Sequence, residues 1–168
     1  FILSIIQNFR HIDGNRKLIQ PHRFVIHGAI DGYSRLIVYL QVATNRADIV
    51  LGLFQEAVQK YNLPSRVRSD RGLENIQVAT FMLMARGLNR GSIITGASMH
   101  NQRIERLWRD VNRVIVGRLL KIFLYLEHEL LLSVDDDLDL LALHFTYVPI
   151  VNEAIELFID EWNNHPLS

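Results

Sequence analysis

Residues 24–43 read FVIHGAIDGYSRLIVYLQVA: two runs rich in β-branched and aromatic residues, 24–30 and 36–43, around the turn Asp31-Gly32-Tyr33-Ser34. Such runs about an Asp-Gly pair form an antiparallel hairpin. Upstream, FRHID at 9–13 reads as a third short strand, with a Gly14-Asn15 turn signal behind it. Downstream, Ile49, Val50, Leu53, Phe54, Ala57, Val58 and Tyr61 recur at helical spacing over 46–61. Thr44 or Asn45 is placed to cap that helix, Asp48 lies in its first turn, and Leu63-Pro64 ends it. A strand at 65–70 (SRVRSD) then follows a helix, the crossover that a parallel pairing needs. Beyond Gly72, a helix is expected over 75–86, a short strand over 92–95 and a long amphipathic helix over 101–120. Further helices are expected over 121–132, 137–147 and 150–163, with Pro149 as a break. The fold class is α/β, a mixed sheet flanked by helices with extra helices at the C-terminal end.

The chain has 168 residues, no cysteine, 49% hydrophobic and 21% charged residues. The lack of cysteine excludes a disulfide scaffold, a cysteine zinc site and thiol catalysis. The hydrophobic content excludes a disordered chain. No uninterrupted apolar stretch reaches about 18 residues, so no membrane-spanning helix and no membrane partner is expected. The opening FILSIIQNFRHID lacks a basic stretch before its apolar residues and reads as an internal start, a fragment of something longer. The zero net charge hides an asymmetry: residues 1–118 hold 17 Lys+Arg against 8 Asp+Glu, and 119–168 hold 1 against 10. Fifteen of the eighteen basic residues are Arg, whose planar fork suits phosphate. A basic body of this kind points to a polyanion, and the arginine bias tilts the choice toward nucleic acid.

Three acids stand where elements end or begin. Asp13 closes the first strand, Asp70 closes the strand after the first helix, and Glu105 lies one turn into the long helix. Hard divalent cations take carboxylate oxygens, and Mg²⁺ combines one or two of them with water and substrate phosphate. Two such ions can hold the attacking and leaving oxygens of a phosphodiester displacement. Asp31 is a rival for the first position, although Asp-Gly is also a turn pair. Glu74 is a weaker fourth acid in a first helical turn, where it also complements the helix dipole. His11 shares strand parity with Asp13. Asp135, Asp136, Asp137 and Asp139 read as a loop and helix start, because the calcium-loop pattern is missing.

The surroundings of these acids carry a resemblance. Asp70-Arg71-Gly72-Leu73-Glu74-Asn75 and Asn101-Gln102-Arg103-Ile104-Glu105-Arg106 stand with thirty-four residues between Asp70 and Glu105, behind Ile30-Asp31-Gly32-Tyr33-Ser34-Arg35. This ordered set resembles the catalytic core of the D,D-E integrases of retroviruses, retrotransposons and related DNA transposons, over about residues 9–165. It is most similar to the integrase cores of transposon-derived eukaryotic genes. The resemblance implies a ribonuclease H-like fold in one integrase core domain over 1–168. A metal-site core would span about 9–118 and an acidic helical part 119–168. It implies Asp13, Asp70 and Glu105 as catalytic metal ligands for two Mg²⁺ ions, with Mn²⁺ able to substitute, and Asn75 and Asn101 flanking the site. It further implies DNA integration and recombination by a polynucleotidyl transferase and endonuclease, a homo-oligomer, and a nuclear location. The rival readings are a catalytically silent, transposon-derived module that binds nucleic acid or protein, and a nuclease that only hydrolyses.

At 100° per residue along 101–115, Ile104, Leu107, Trp108, Val111, Val114 and Ile115 share an apolar arc. Arg103, Arg106, Arg109 and Arg113 fall opposite, and Asn101, Glu105 and Asn112 lie on one border. The arginine row can hold a phosphate backbone beside the acid. Replacing Arg106 and Arg109 together with Ala is expected to lower DNA affinity and to flatten the slope of log K against log salt by about 1.8, two duplex phosphate contacts' worth. Binding measured across a salt series checks this, and an unchanged slope removes the row from the interface.

Overall fold

The computed structural model describes residues 9–96 and 102–164, with Gln102 and Arg103 as backbone only. Along the chain come β1 (Phe9–Asn15), β2 (Val25–Asp31), β3 (Ile37–Ala43), α1 (Ala47–Tyr61), β4 (Arg66–Ser69), a 3₁₀ turn (Leu73–Asn75), α2 (Ile76–Arg86), β5 (Ile93–Thr95), α3 (Gln102–Val111), a π-helical turn (Asn112–Val116), α4 (Gly117–His128) and α5 (Asp137–Asn164). The strands form one mixed sheet in the order β3-β2-β1-β4-β5. The β2–β3 hairpin and β1–β2 are antiparallel, whereas β4 joins β1 and β5 joins β4 in parallel, after helical crossovers.

Strand alternation splits the core. Ile12, Ala29, Val38 and Val67 face α1 and α2, packing with Phe54, Ala57, Val78 and Met82. Phe24, Ile26, Ile30, Ile37, Leu40 and Val42 face the other way, against Ile104, Leu107, Trp108 and Val111 of α3 and against α4 and α5. Arg10 is fully buried on the first face, where its guanidinium donates to the Tyr61 and Asn62 carbonyls at 3.1 and 2.6 Å. A cation thus closes the C-terminal end of α1, where the helix dipole is negative. Burial lowers the Arg10 pKa to about 10, which leaves it charged at neutral pH.

Several boundaries differ from those expected. Gly14-Asn15 is not a turn: it extends β1, pairing with His27 and Ile26, so Asp13 lies inside the strand. Neither Thr44 nor Asn45 caps α1. The helix begins after Arg46, whose guanidinium meets Asp48 at 3.0 Å, and the Thr44 carbonyl accepts from His27 Nε2 instead. The long helix does not end near Leu120 but runs to His128 through the π-helical turn. Gly117 donates there to the carbonyl of Asn112, and a Cβ at Gly117 would sit 3.1 Å from that oxygen. The wider turn shifts the face by about one residue, so Val116 is buried while Val114 is only partly so.

Pro149 does not break the last helix, which is continuous over Asp137–Asn164. Proline leaves one carbonyl, that of Phe145, without its helical donor, and Phe145 lies on the exposed side where water serves. Both halves are anchored. Leu140 and Leu143 are buried in the first half, and His144 donates from Nε2 to the His22 carbonyl at 2.8 Å. In the second half Asn163 brackets edge strand β3, accepting from the Ile37 amide at 2.8 Å and donating to its carbonyl at 3.1 Å, while Asn152 accepts from the Val42 amide at 2.9 Å. By length and composition alone this 28-residue helix would suffice to cross a membrane, contrary to the expectation that no segment qualifies. Its contacts with β3 make it a cover for the sheet edge.

Side chains on β3 amides satisfy an edge that would otherwise invite another strand. The double variant Asn152→Ala, Asn163→Ala is expected to lose about 2–4 kcal/mol of stability, since each change leaves a strand amide without its acceptor, and to self-associate on mild heating. Denaturant unfolding and light scattering measure both; unchanged stability contradicts the edge-cover role.

Candidate active site

Asp13 stands on the α3 face of the sheet, two residues before the end of β1, and Asp70 follows directly after β4, the parallel neighbour of β1. Parity puts Arg66, Arg68 and Asp70 on the same face as Phe9, His11 and Asp13. The two carboxylates lie close enough that Asp70 contributes to the Asp13 titration.

Each acid is held by identifiable donors. Asp13 Oδ2 accepts from Trp108 Nε1 at 3.0 Å and Oδ1 accepts from the Gly14 amide at 2.8 Å. The indole reaches Asp13 because Gly28 has no side chain: a Cβ there would lie 2.7 Å from the ring. Asp70 Oδ1 accepts from the Gly72 amide at 3.0 Å and from Asn75 Nδ2 at 2.8 Å, while its Oδ2 accepts nothing among the described residues. Asn75 is buried, so its role in the structure is to fix Asp70. Glu74 is buried too and ion-paired with Arg16, which ties the loop after β4 to the end of β1. Gly72 leaves room for that carboxylate, for a Cβ there would collide with Glu74 Oε1. Asn15 Nδ2 donates to Asn112 Oδ1 at 2.8 Å and pins the helix to β1 at the π-helical turn.

Burial raises the Asp13 pKa. The Trp108 and Gly14 hydrogen bonds and the Arg16 charge pull it back, and Asp70 pushes it up. Two neighbouring carboxylates are oxygen donors of the kind that hard divalent cations take. A cavity of about 250 Å³ opens beside Asp70, lined by Arg71, Gly72, Leu73, Asn75 and Thr95 among others.

The third acid is not gathered in. Glu105 is exposed on α3, one turn before Trp108 and two before Asn112, the residues that touch β1. Among the described residues no three of His, Cys, Asp and Glu form a metal-holding group. Asn101 lies outside the described residues, as does the side chain of Arg103. Arg106 and Arg109 are exposed, and Arg113 is exposed and paired with Asp110 at 3.3 Å. Asp31, the rival first acid, faces the opposite side of the sheet from Asp13. It organises its own turn, accepting on Oδ1 from the Tyr33 and Ser34 amides and from Ser34 Oγ. His11 is buried with its ring edge-on to Phe9 at 4.7 Å. Asp136 and Asp139 accept from the Leu138 and Ser133 amides, a loop and helix start as expected.

The integrase core domain model matches residues 4–168. The chain belongs to the integrase core domain family. Solved integrase structures share its fold. They include the catalytic core domain of BIV integrase, with 17% identity, TM-score 0.52, and coverage of 68% of this chain and 73% of that one. The HTLV-2 integrase catalytic core domain in complex with magnesium, in its dimeric form, has 13% identity, TM-score 0.50, and coverage of 70% and 75%. The simian T-cell lymphotropic virus intasome in complex with PP2A regulatory subunit B56 gamma has 14% identity, TM-score 0.51, and coverage of 82% of this chain and 47% of that one. No curated protein matches the chain in sequence. The architecture is thus the ribonuclease H-like one of integrase catalytic cores, and at the family level the activity is DNA integration.

Within this integrase core, sequence reading missed Trp108, Gly28 and the Arg16–Glu74 pair as parts of the site. A glycine inside a β-branched strand marks a close approach, and that signal was available at Gly28. Because folded Asp13 holds its proton more tightly than the unfolded chain does, the stability from neutral Asp13 is complete below the ordinary carboxylate range. It is lost as pH rises through the folded pKa, so the metal-free protein is weakened by this group at neutral pH. Trp108→Phe removes the largest of the interactions that favour the carboxylate, and the Asp13 pKa is expected to rise further. Carboxyl NMR titration of the metal-free protein checks this; an unmoved or lowered midpoint contradicts the assignment.

Proposed function

We propose that the chain is a Mg²⁺-dependent polynucleotidyl transferase of DNA integration, using Asp13 and Asp70, joined by Glu105, to hold the divalent cation. The observation that carries the reading is the Asp13–Asp70 pair: one acid within β1 and one directly after its parallel neighbour β4, the first raised by burial and by its neighbour, the second with an oxygen free of hydrogen bonds among the described residues. That donor set fits Mg²⁺, which needs one or two carboxylates beside phosphate and water. The HTLV-2 core in complex with magnesium supports the same choice of ion. When bound, two divalent ions would supply activation of a water or 3′-hydroxyl nucleophile and neutralisation of the leaving oxygen. The chain's own residues do the positioning. Trp108 and Gly14 orient Asp13, Asn75 and Gly72 orient Asp70, and the arginines of α3 and the π-helical turn, with Arg103, Arg106, Arg109 and Arg113 as candidates, together with Asn101, would hold the DNA backbone. A second copy of the chain is the proposed partner for the apolar surface that α4 and α5 leave exposed at Leu130, Leu131, Leu138, Leu141 and Phe145, in line with the dimeric form of the HTLV-2 core.

A second reading is a domain that keeps the fold and binds DNA without cutting or joining it. The exposed, ungathered Glu105 favours it. The two readings part on the metal. If the chain is an enzyme, Mg²⁺ at about 100 times its dissociation constant stabilises it by roughly 2.7 kcal/mol. That gain disappears in Asp13→Asn and Asp70→Asn, and Glu105→Gln abolishes Mg²⁺-dependent joining of pre-processed DNA ends in a folded protein. A silent module shows no melting shift with Mg²⁺ and no difference among the variants.

A further inference from the structure

Two exposed apolar faces of opposite surrounding charge stand on different helices. On α2, Ile76, Leu83 and Met84 fall within about 100° of one another at 100° per residue. Leu73 before the helix and Leu88 after it extend the row, and all five are exposed, Met84 to 82%. Single exposed apolar residues are ordinary, but a row of five along one short helix marks a surface that another surface covers. The stretch 71–91 that carries the row holds Arg71, Arg86 and Arg90, all exposed, and one acid, Glu74, which is buried against Arg16. On α5, Leu138, Leu141 and Phe145 fall within about 60° of one another and are exposed, Phe145 to 84%. Asp135, Asp136 and Asp137 lead into this face and Glu153 and Glu156 follow it, all exposed. Residues 122–168 contain ten acids and no Lys or Arg.

We infer that the α2 row of one copy of the chain seats on the α5 face of a second copy, a head-to-tail contact. The inference rests on the reading that a second copy covers the α5 surface, and it names the part of that copy that arrives there. Charge decides the pairing. Two α5 faces brought together set carboxylates against carboxylates, and two α2 rows set guanidiniums against guanidiniums, and like charges facing across an interface cost energy and slow encounter. The crossed pairing brings arginines to carboxylates at the edge and apolar side chains together in the middle, the anatomy of a protein interface. Duplex DNA matches the arginines through its phosphates and leaves the apolar row uncovered. Because the two surfaces differ, each pair of copies leaves one α2 row and one α5 face open, and assembly passes beyond the dimer unless a ring closes.

The test follows self-association of the full chain, without DNA, by sedimentation over a concentration series. Met84→Asp and Phe145→Asp, both at exposed positions outside the acid site, are each expected to weaken association about tenfold or more, the loss of one apolar anchor. Mixed in equal amounts, the two variants are expected to form a dimer and nothing larger, since the α5 face of the first and the α2 row of the second are intact. Wild-type association is expected to weaken as salt rises. Melting curves check folding, and Leu88→Asp or Leu141→Asp replaces a variant that unfolds. A mixture that stays monomeric overturns the inference, and so does association that salt leaves unchanged. If Met84→Asp associates like the wild type while Phe145→Asp does not, the second copy on α5 stands and the crossed pairing is lost. A wild type that is monomeric at every concentration removes both.

Discussion

The site depends on one indole. Trp108 lies against the bare backbone of Gly28 and donates its single N–H to Asp13. That contact sets the distance between α3 and the sheet, since any side chain at position 28 would push the ring away, and it fixes the carboxylate at the same time. An indole has no second donor, so its hydrogen bond and its packing cannot be satisfied by different arrangements. Asn15 and Asn112 repeat the connection one turn further along, where the π-helical turn lets the helix stay in register with β1. The position of Glu105 follows from these anchors: it belongs to the border of the helix that follows β1, one turn before the ring.

Around this anchor the protein holds two like charges together. Burial raises the cost of ionising Asp13, and the neighbouring Asp70 carboxylate adds to it. The scaffold bears that repulsion through neutral donors placed on each carboxylate and through Arg16, whose charge favours ionised Asp13 while its ion pair with Glu74 ties the end of β1 to the loop after β4. Such an arrangement is poorly suited to stability in the metal-free state and well suited to a divalent cation. The same logic separates Asp31 from the site. One oxygen of its carboxylate, Oδ1, is taken by its own turn, and the side chain lies on the opposite face of the sheet.

The sheet and its crossovers were legible because strand and helix periods differ and because Asp-Gly and Leu-Pro mark their ends. The resemblance carried by Asp70 to Asn75 and Asn101 to Arg106 agrees with the family found for the chain. The errors have a common physical source. Gly14-Asn15, Thr44-Asn45 and Pro149 were each read from local preference, and each is overridden by a tertiary partner: β2 pairing, the His27 contact, and the docking of α5 on β3. Spacing placed Asp13 and Asp70 on elements that do meet. It could not show that Glu105 stays exposed, because the direction of a side chain at the start of a helix depends on where that helix lands. Nor could it foresee that Asn75 points at Asp70 rather than outward.

The central claim, that the Asp13–Asp70 pair is a divalent cation site, is tested most directly by anomalous diffraction from crystals soaked in Mn²⁺. The account predicts an anomalous peak within coordination distance of both carboxylates and movement of the Glu105 side chain toward it. A saturated soak with no peak there, or with manganese bound only at other surface acids, would contradict it.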